Sequence, residues 1–315
     1  MDFLKIVLIA AVVLLVLLVG AMFFFFRFAH LRKDYVLENM AQDGPVWRAY
    51  KKNIEDGTHW LENQNKEEVW TTSFDGLKLR GTYIPVEDPK ACVILFHGYR
   101  SSGIQDFGGL LPFYAEKGFS VLMVTQRACG ESEGKYITFG IKERKDALRW
   151  AEYMDERLQG NLPILLHGLS MGASAVMMAA NLPLPKRVVG LVADCGFTAP
   201  YDIIAHCGKQ WFKLPAFPLV NMLSGVSKMI TGCGYRDCST LDTLAESVLP
   251  VLLIHGGKDT FVPTYMTELN FKAAKNCVGK LIVPDASHAL SYLMDPEGYQ
   301  RELMEFAGKT VCAAD

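Results

Sequence analysis

A succession of short apolar, β-rich runs constrains this chain more than any other feature. Residues 92–96, 119–125, 163–166, 188–193, 251–254 and 280–283 are nearly continuous in apolar side chains, and helical stretches separate them. Strands of that kind are buried on both faces of a sheet. Strands alternating with helices imply an α/β fold with a parallel, doubly wound sheet. A hairpin precedes them, with residues 69–74 and 77–84 joined by the tight turn Asp75-Gly76. In such sheets the chemistry sits at the carboxyl ends of the strands. The polar and glycine-rich tokens fall there: His97-Gly98, Gln126-Arg127, His167-Gly168, Asp194, His255-Gly256-Gly257 and Pro284-Asp285.

The N-terminus is of another kind. Residues 6–26 carry no charge between Lys5 and Arg27. As a helix they span roughly 31 Å at ~1.5 Å per residue, about one hydrocarbon core. A buried core helix would show polar positions at helical spacing, and none occur. A cleaved signal peptide has a shorter apolar stretch. Val19-Gly20-Ala21 mimics a cleavage site, but the apolar run continues through Phe26. A retained, single-pass transmembrane anchor over 1–30 is therefore expected. Asp2 and Lys5 flank one end, and Arg27, Arg32 and Lys33 the other. The positive-inside rule leans weakly toward a cytoplasmic body.

Residues 31–68 read as a juxtamembrane helical stem, because Val46-Trp47, Tyr50 and Ile54 recur at helical spacing. Trp47 and Trp60 pack on the body or sit at the membrane interface. Between Asp194 and Leu249 the chain is longer than one crossover helix needs and strongly apolar. A helical cap over the strand ends is expected at about 198–245, against the alternative of a helix pair on the sheet edge. The 315 residues carry a formal net charge of −2, which excludes a basic nucleic-acid binder. The eight cysteines are scattered in apolar contexts and read mostly as small buried hydrophobes. Cys233 and Cys238, with His206-Cys207 upstream, fit no standard zinc spacing. A disulfide between Cys233 and Cys238 would require an oxidising compartment.

The sharpest local signal is Gly168-Leu169-Ser170-Met171-Gly172, which follows an apolar strand and opens the helical run 173–180. That is the strand–turn–helix setting of a nucleophile elbow. The turn is sharp, so glycines must flank the serine. Ser170 then stands at a helix N-terminus, whose free N–H groups support developing negative charge. A serine hydroxyl needs a base. The elbow implies the chain order serine, acid, histidine, each later member following a late strand. Asp259, in His255-Gly256-Gly257-Lys258-Asp259, and His288, in Ser287-His288-Ala289, occupy those slots. Asp194 also ends a strand and is the rival acid. For the oxyanion, one backbone donor is the N–H of Met171 and the other that of Tyr99, with Arg100 a weaker candidate. His97 is expected to bond within its own loop, against the alternative of a second catalytic base. Cys129 has no evident base to make it a nucleophile.

These residues resemble the α/β-hydrolase superfamily, and within it the Bem46-type, serine aminopeptidase-like branch. The resemblance covers about residues 69–307. It rests on Asp75-Gly76-Leu77-Lys78-Leu79, His97-Gly98, Arg127-Ala128-Cys129-Gly130-Glu131-Ser132-Glu133-Gly134, the 168–172 elbow, His255-Gly256-x-x-Asp259 and Ser287-His288. It implies an α/β-hydrolase domain over 69–310 with an eight-stranded, mostly parallel sheet, helices on both faces, and no cofactor; no metal site is expected. Gln126 departs from the Asp usual before that arginine, and Cys129 from the usual aromatic or histidine, which touches pocket polarity. The expected activity is hydrolysis of carboxylic esters through an acyl-enzyme, on small-molecule or lipid-like substrates. Two alternatives stand beside it. An amidase or peptidase would use the same triad, with Arg100 or Glu131 to hold a free terminus. A non-catalytic binding module would retain the fold alone. Oligomeric state is left open.

Overall fold

The structure is a computed structural model that describes residues 3–33 and 45–312. Much of the expected stem, 34–44, lies outside the described residues, as does the Trp47 side chain.

Eight strands form one sheet in the order β1-β2-β4-β3-β5-β6-β7-β8. They are β1 (Glu67–Thr72), β2 (Lys78–Ile84), β3 (Ala91–Phe96), β4 (Phe119–Val124), β5 (Ile164–Leu169), β6 (Val188–Asp194), β7 (Val251–Gly256) and β8 (Cys277–Val283). The β1–β2 and β2–β4 pairs are antiparallel, and every pair from β4 to β8 is parallel. The chain moves from β3 to β4 on one side, then returns past β3 to β5. That reversal opens the crevice in which α/β sheets bind ligands. Phe96 pairs with Gly168 there, so the loops after β3 and β5 leave the sheet side by side.

The described residues also form the α-helices α1 (Phe3–His30), α2 (Pro45–Glu62), α3 (Gly103–Phe107), α4 (Leu111–Glu116), α5 (Glu143–Arg157), α6 (Met171–Ala179), α7 (Pro200–Phe212), α8 (Leu219–Thr231), α9 (Thr240–Glu246), α10 (Tyr265–Ala273), α11 (Ser291–Met294) and α12 (Pro296–Thr310). Strand residues alternate between two apolar layers, as the pleat requires. Cys92, Ile94 and Phe96 face Trp150 of α5, Val176 of α6 and Leu244 of α9. Ala91, Val93 and Leu95 face Leu111 and Phe113 of α4 and Leu303 and Phe306 of α12. Trp60 of α2 packs against this second layer, on the body.

Two features differ from a simple anchor, stem and cap. First, α9 joins the sheet layer through Leu244. Residues of α7 and α8, by contrast, line the cavity that Ser170 also lines. Second, α1 does not end as a free tether. Met22, Phe26 and His30, four residues apart, are buried, and Leu18, Ala21 and Phe25 are partly so. They pack on Val220 and Leu223 of α8 and on Tyr235. His30 Nδ1–H donates to the Ile137 carbonyl at 2.7 Å, and its Nε2 accepts from the Tyr235 hydroxyl at 2.7 Å. Among the described residues, α1 is the one helix long and apolar enough to cross a membrane.

Candidate active site

The elbow sets the geometry. Ser170 adopts φ +55° and ψ −115°, a conformation that L-residues avoid and that over-determined sites retain. A Cβ on Gly172 would overlap the Phe96 carbonyl, and one on Gly168 the backbone of Gly172. The close approach of strand and helix therefore requires both glycines. Arg100, Ala128, Cys195 and Ala289 also have positive φ, and all lie beside the carboxyl end of the sheet.

Three sequence-assigned residues converge. His288 Nε2 lies 2.9 Å from Ser170 Oγ, and His288 Nδ1 lies 2.7 Å from Asp259 Oδ2. The Asp259 carboxylate also accepts from the Phe261 and Val262 N–H groups, both at 2.9 Å, and from His255 Nε2 at 3.1 Å. Burial alone would raise its pKa. Hydrogen bonds from His255 and His288 outweigh that and hold it near 2. Asp259 is thus ionised at neutral pH, when it orients the imidazole. Asp194, the rival acid, bonds instead to the Tyr299 hydroxyl at 3.1 Å and the Ser291 hydroxyl at 3.3 Å.

The oxyanion candidates sit across from Ser170. Met171 opens α6, so its N–H has no acceptor within the helix. The loop carrying Tyr99 is tied from below by Asp106, which accepts from the Gly98 N–H and the Ser101 hydroxyl, both at 2.6 Å. Tyr99 and Arg100 also reach outward. The Tyr99 hydroxyl donates to the Ala29 carbonyl at 2.7 Å. Arg100 Nη2 donates to the carbonyls of Phe28 at 2.8 Å and Leu31 at 2.7 Å. These are orphan carbonyls at the end of α1.

His97 is structural. Its Nδ1–H donates to the Gly98 carbonyl, its Nε2 accepts from the Gln126 N–H, and burial lowers its pKa to about 4. The Gln126 side chain donates to the His97 carbonyl. Neither Gln126 nor Cys129 lines the cavity beside Ser170, so their departures from the family pattern leave pocket polarity untouched. Arg127 is buried in an ion-pair cluster with Asp146 and Asp75, which fastens the β1–β2 turn to the loop after β4. Glu131 pairs with Arg80 at 2.6 Å. Cys233 and Cys238 are free thiols. Cys195, Asp259 and His288 offer three ligand atoms within 4.8 Å of one another. A metal would need the Cys195 thiolate, and burial together with the Asp194 and Asp259 charges pushes that thiol well above its ordinary pKa.

A cavity of about 430 Å³ opens on Ser170, with Met171, Tyr99 and Arg100 at its base and almost wholly apolar walls. Trp211, Phe212 and Leu214 line it from the cap, and Met22, Phe25 and Phe28 from α1. Trp211 stacks on Phe261 at 5.6 Å, and Phe261 meets the His288 ring edge-on at 4.8 Å. Sequence reasoning missed three contributions. His255 braces Asp259, a role visible in hindsight from its i, i+4 spacing. Asp106 braces Gly98, with no local signal. The α1 wall was hidden because the run 6–26 is apolar all round and marks no one face for packing.

The profile of the alpha/beta hydrolase family matches residues 93–301. This chain belongs to that family. An uncharacterized Bacillus subtilis protein, YqkD, is 24% identical over 264 residues, covering 84% of this chain and 86% of its own. The Arabidopsis thaliana alpha/beta hydrolase domain-containing protein WAV2 is 25% identical, covering 77% and 79%. Among solved structures, the Pyrococcus furiosus esterase Pf2001 superposes with a TM-score of 0.66 at 24% identity, over 90% of this chain and 98% of that one. The Pyrococcus horikoshii acylaminoacyl peptidase does so at 0.59 and 19%, over 81% of this chain and 43% of that one. At these identities the structural likeness establishes the fold, while the chemistry must be argued from the site.

Proposed function

We propose that this hydrolase is a membrane-anchored serine enzyme that cleaves carboxylic esters with apolar acyl groups. One observation carries the reading: an apolar cavity opens on a serine whose Oγ lies 2.9 Å from an imidazole held at 2.7 Å by an ionised, buried carboxylate. His288 takes the proton as Ser170 Oγ attacks the ester carbonyl, while Asp259 fixes the tautomer and stabilises the imidazolium. The N–H groups of Tyr99 and Met171 take the oxyanion. His288 returns the proton to the leaving alkoxide, giving alcohol and acyl-enzyme. Water, deprotonated by the same imidazole, then releases the acid and regenerates Ser170.

The site favours esters over peptides with a free terminus. Arg100 holds α1 carbonyls and Glu131 is paired with Arg80, so neither is left to bind a charged end group. The exposed part of α1 supports single-pass anchoring, and the excess of Arg27, Arg32 and Lys33 favours a cytoplasmic body. The test is fluorophosphonate labelling of the full-length protein in detergent, with p-nitrophenyl ester turnover on the same samples. Wild type should label and turn over; Ser170→Ala should do neither. Labelling retained in Ser170→Ala would sink the assignment.

A further inference from the structure

The last turns of α1 do two things at once. Met22, Phe25 and Phe28 form one wall of the cavity over Ser170. The carbonyls of Phe28, Ala29 and Leu31 are held by Tyr99 and Arg100, on the loop that carries an oxyanion donor. Helix, cavity and oxyanion loop are therefore one packed unit. Above this wall, residues 3–21 are almost entirely exposed and apolar. As a helix they cover roughly 28 Å, close to one hydrocarbon core of ~30 Å. The bilayer face thus ends where the cavity wall begins. The opposite wall shows the same character. Trp211 and Phe212 line the cavity yet are 54% and 42% exposed, and Phe217, between α7 and α8, is 75% exposed. Phe212 meets Phe25 edge-on at 5.1 Å and Phe28 at 6.0 Å, closing the seam between cap and helix. Half-exposed aromatics beside a membrane-spanning helix suit the bilayer interface.

Building on the ester-hydrolase reading, we propose that α1 is a substrate-binding element: a long-chain carboxylic ester dissolved in the bilayer reaches Ser170 through the seam between α1 and α7–α8. Its acyl chain slides from lipid onto Met22, Phe25 and Phe28 without crossing water. The physical consequence is specific. For an ester taken from water, each added methylene would tighten binding about fourfold. For one taken from the bilayer, the chain passes between two apolar phases and that gain vanishes.

The experiment uses the full-length protein in vesicles of an ether-linked phosphatidylcholine, which offers no ester to cleave. 4-Methylumbelliferyl palmitate is placed either in the same vesicles as the protein or in separate ones, and water-soluble p-nitrophenyl butyrate serves as the short ester. Palmitate turnover should be at least tenfold faster in shared vesicles. Equal rates in the two arrangements mean access through water and overturn the proposal. Phe25→Trp, which narrows the seam, should lower the palmitate-to-butyrate ratio of kcat/KM at least tenfold, and Phe28→Ala, which widens it, should raise that ratio. Leu14→Trp, on the lipid-exposed part of α1, should leave the ratio alone. A ratio unmoved by both seam variants removes α1 from the site. Wild type that neither labels with fluorophosphonate nor cleaves butyrate overturns the hydrolase reading, and this inference with it.

Discussion

Replacing Asp259 by asparagine separates the role of its charge from that of its shape. The carboxylate accepts from four donors, two backbone N–H groups on Oδ1 and the His255 and His288 imidazoles on Oδ2. An amide that keeps its oxygen toward the backbone must aim its NH2 group at both imidazoles. His288 then turns its lone pair to the amide and its Nε2–H to Ser170, so the base is lost while the packing stays. The same tautomer reversal in serine hydrolases costs about 10⁴ in kcat, or about 5 kcal/mol of transition-state stabilisation. His255 Nε2–H keeps the Val262 carbonyl, 2.8 Å away, as its acceptor, so the change should cost little stability. The assay is the pre-steady-state burst and steady-state turnover of p-nitrophenyl butyrate by full-length protein at pH 7.5, with thermal melting of the same samples. Asp194→Asn, whose hydroxyl partners Tyr299 and Ser291 can donate to the amide oxygen on one side and accept from its NH2 on the other, should keep turnover within tenfold. An Asp259→Asn enzyme that retains more than a tenth of wild-type kcat, or an Asp194→Asn enzyme that loses as much as Asp259→Asn should, refutes the assignment of the acid.

Further outcomes follow from the packing and the buried charges. Phe26 is 1% exposed and stacks on His30, so Phe26→Ala should destabilise the folded body by ~3–5 kcal/mol, read as a lowered thermal midpoint in detergent; a midpoint equal to wild type would mean α1 is not docked. Burial raises the Asp106 carboxyl to about 6, despite its bonds from Gly98 and Ser101. Its folded pKa exceeds the unfolded ~3.9, so its stabilising contribution is full below pH 4 and is lost as pH rises through 6, about 3 kcal/mol in all. Asp106→Asn removes that slope, so its thermal midpoint should gain on wild type between pH 4 and 7, and a constant gap would refute the linkage. Gly172→Ala should abolish fluorophosphonate labelling, because its Cβ overlaps the Phe96 carbonyl; normal labelling would mean the elbow relaxes more than the geometry allows.

Much of this molecule was legible in its residues because the informative physics is local. A strand buried on both faces writes itself as a continuous apolar run, and the six runs of the parallel section all became strands, with boundaries moved by a few residues. The elbow is steric, confined to residues 168–172, and needs its glycines wherever the rest of the chain goes. The order of serine, acid and histidine follows from the order of strands, which the alternating pattern already implied. Asp259 and His288 could therefore be nominated from the sequence, and the fold brings His288 to Ser170 across 118 residues and to Asp259 across 29.

What tertiary structure alone decided is which apolar surface meets which. From residue 6 to residue 26 every position of α1 is uncharged and nearly all are apolar, so no periodicity separates Met22 and Phe26 from the exposed faces; packing against α8 and Tyr235 creates that difference. His30 finds Tyr235 across 205 residues, and Tyr99 finds Ala29 across 70. Likewise α9 offers few apolar side chains, Leu244 the buried one, and its packing beside the sheet makes it part of that layer. Local sterics and alternation are encoded residue by residue, whereas the docking of one apolar face on another depends on shapes that exist once the sheet has formed.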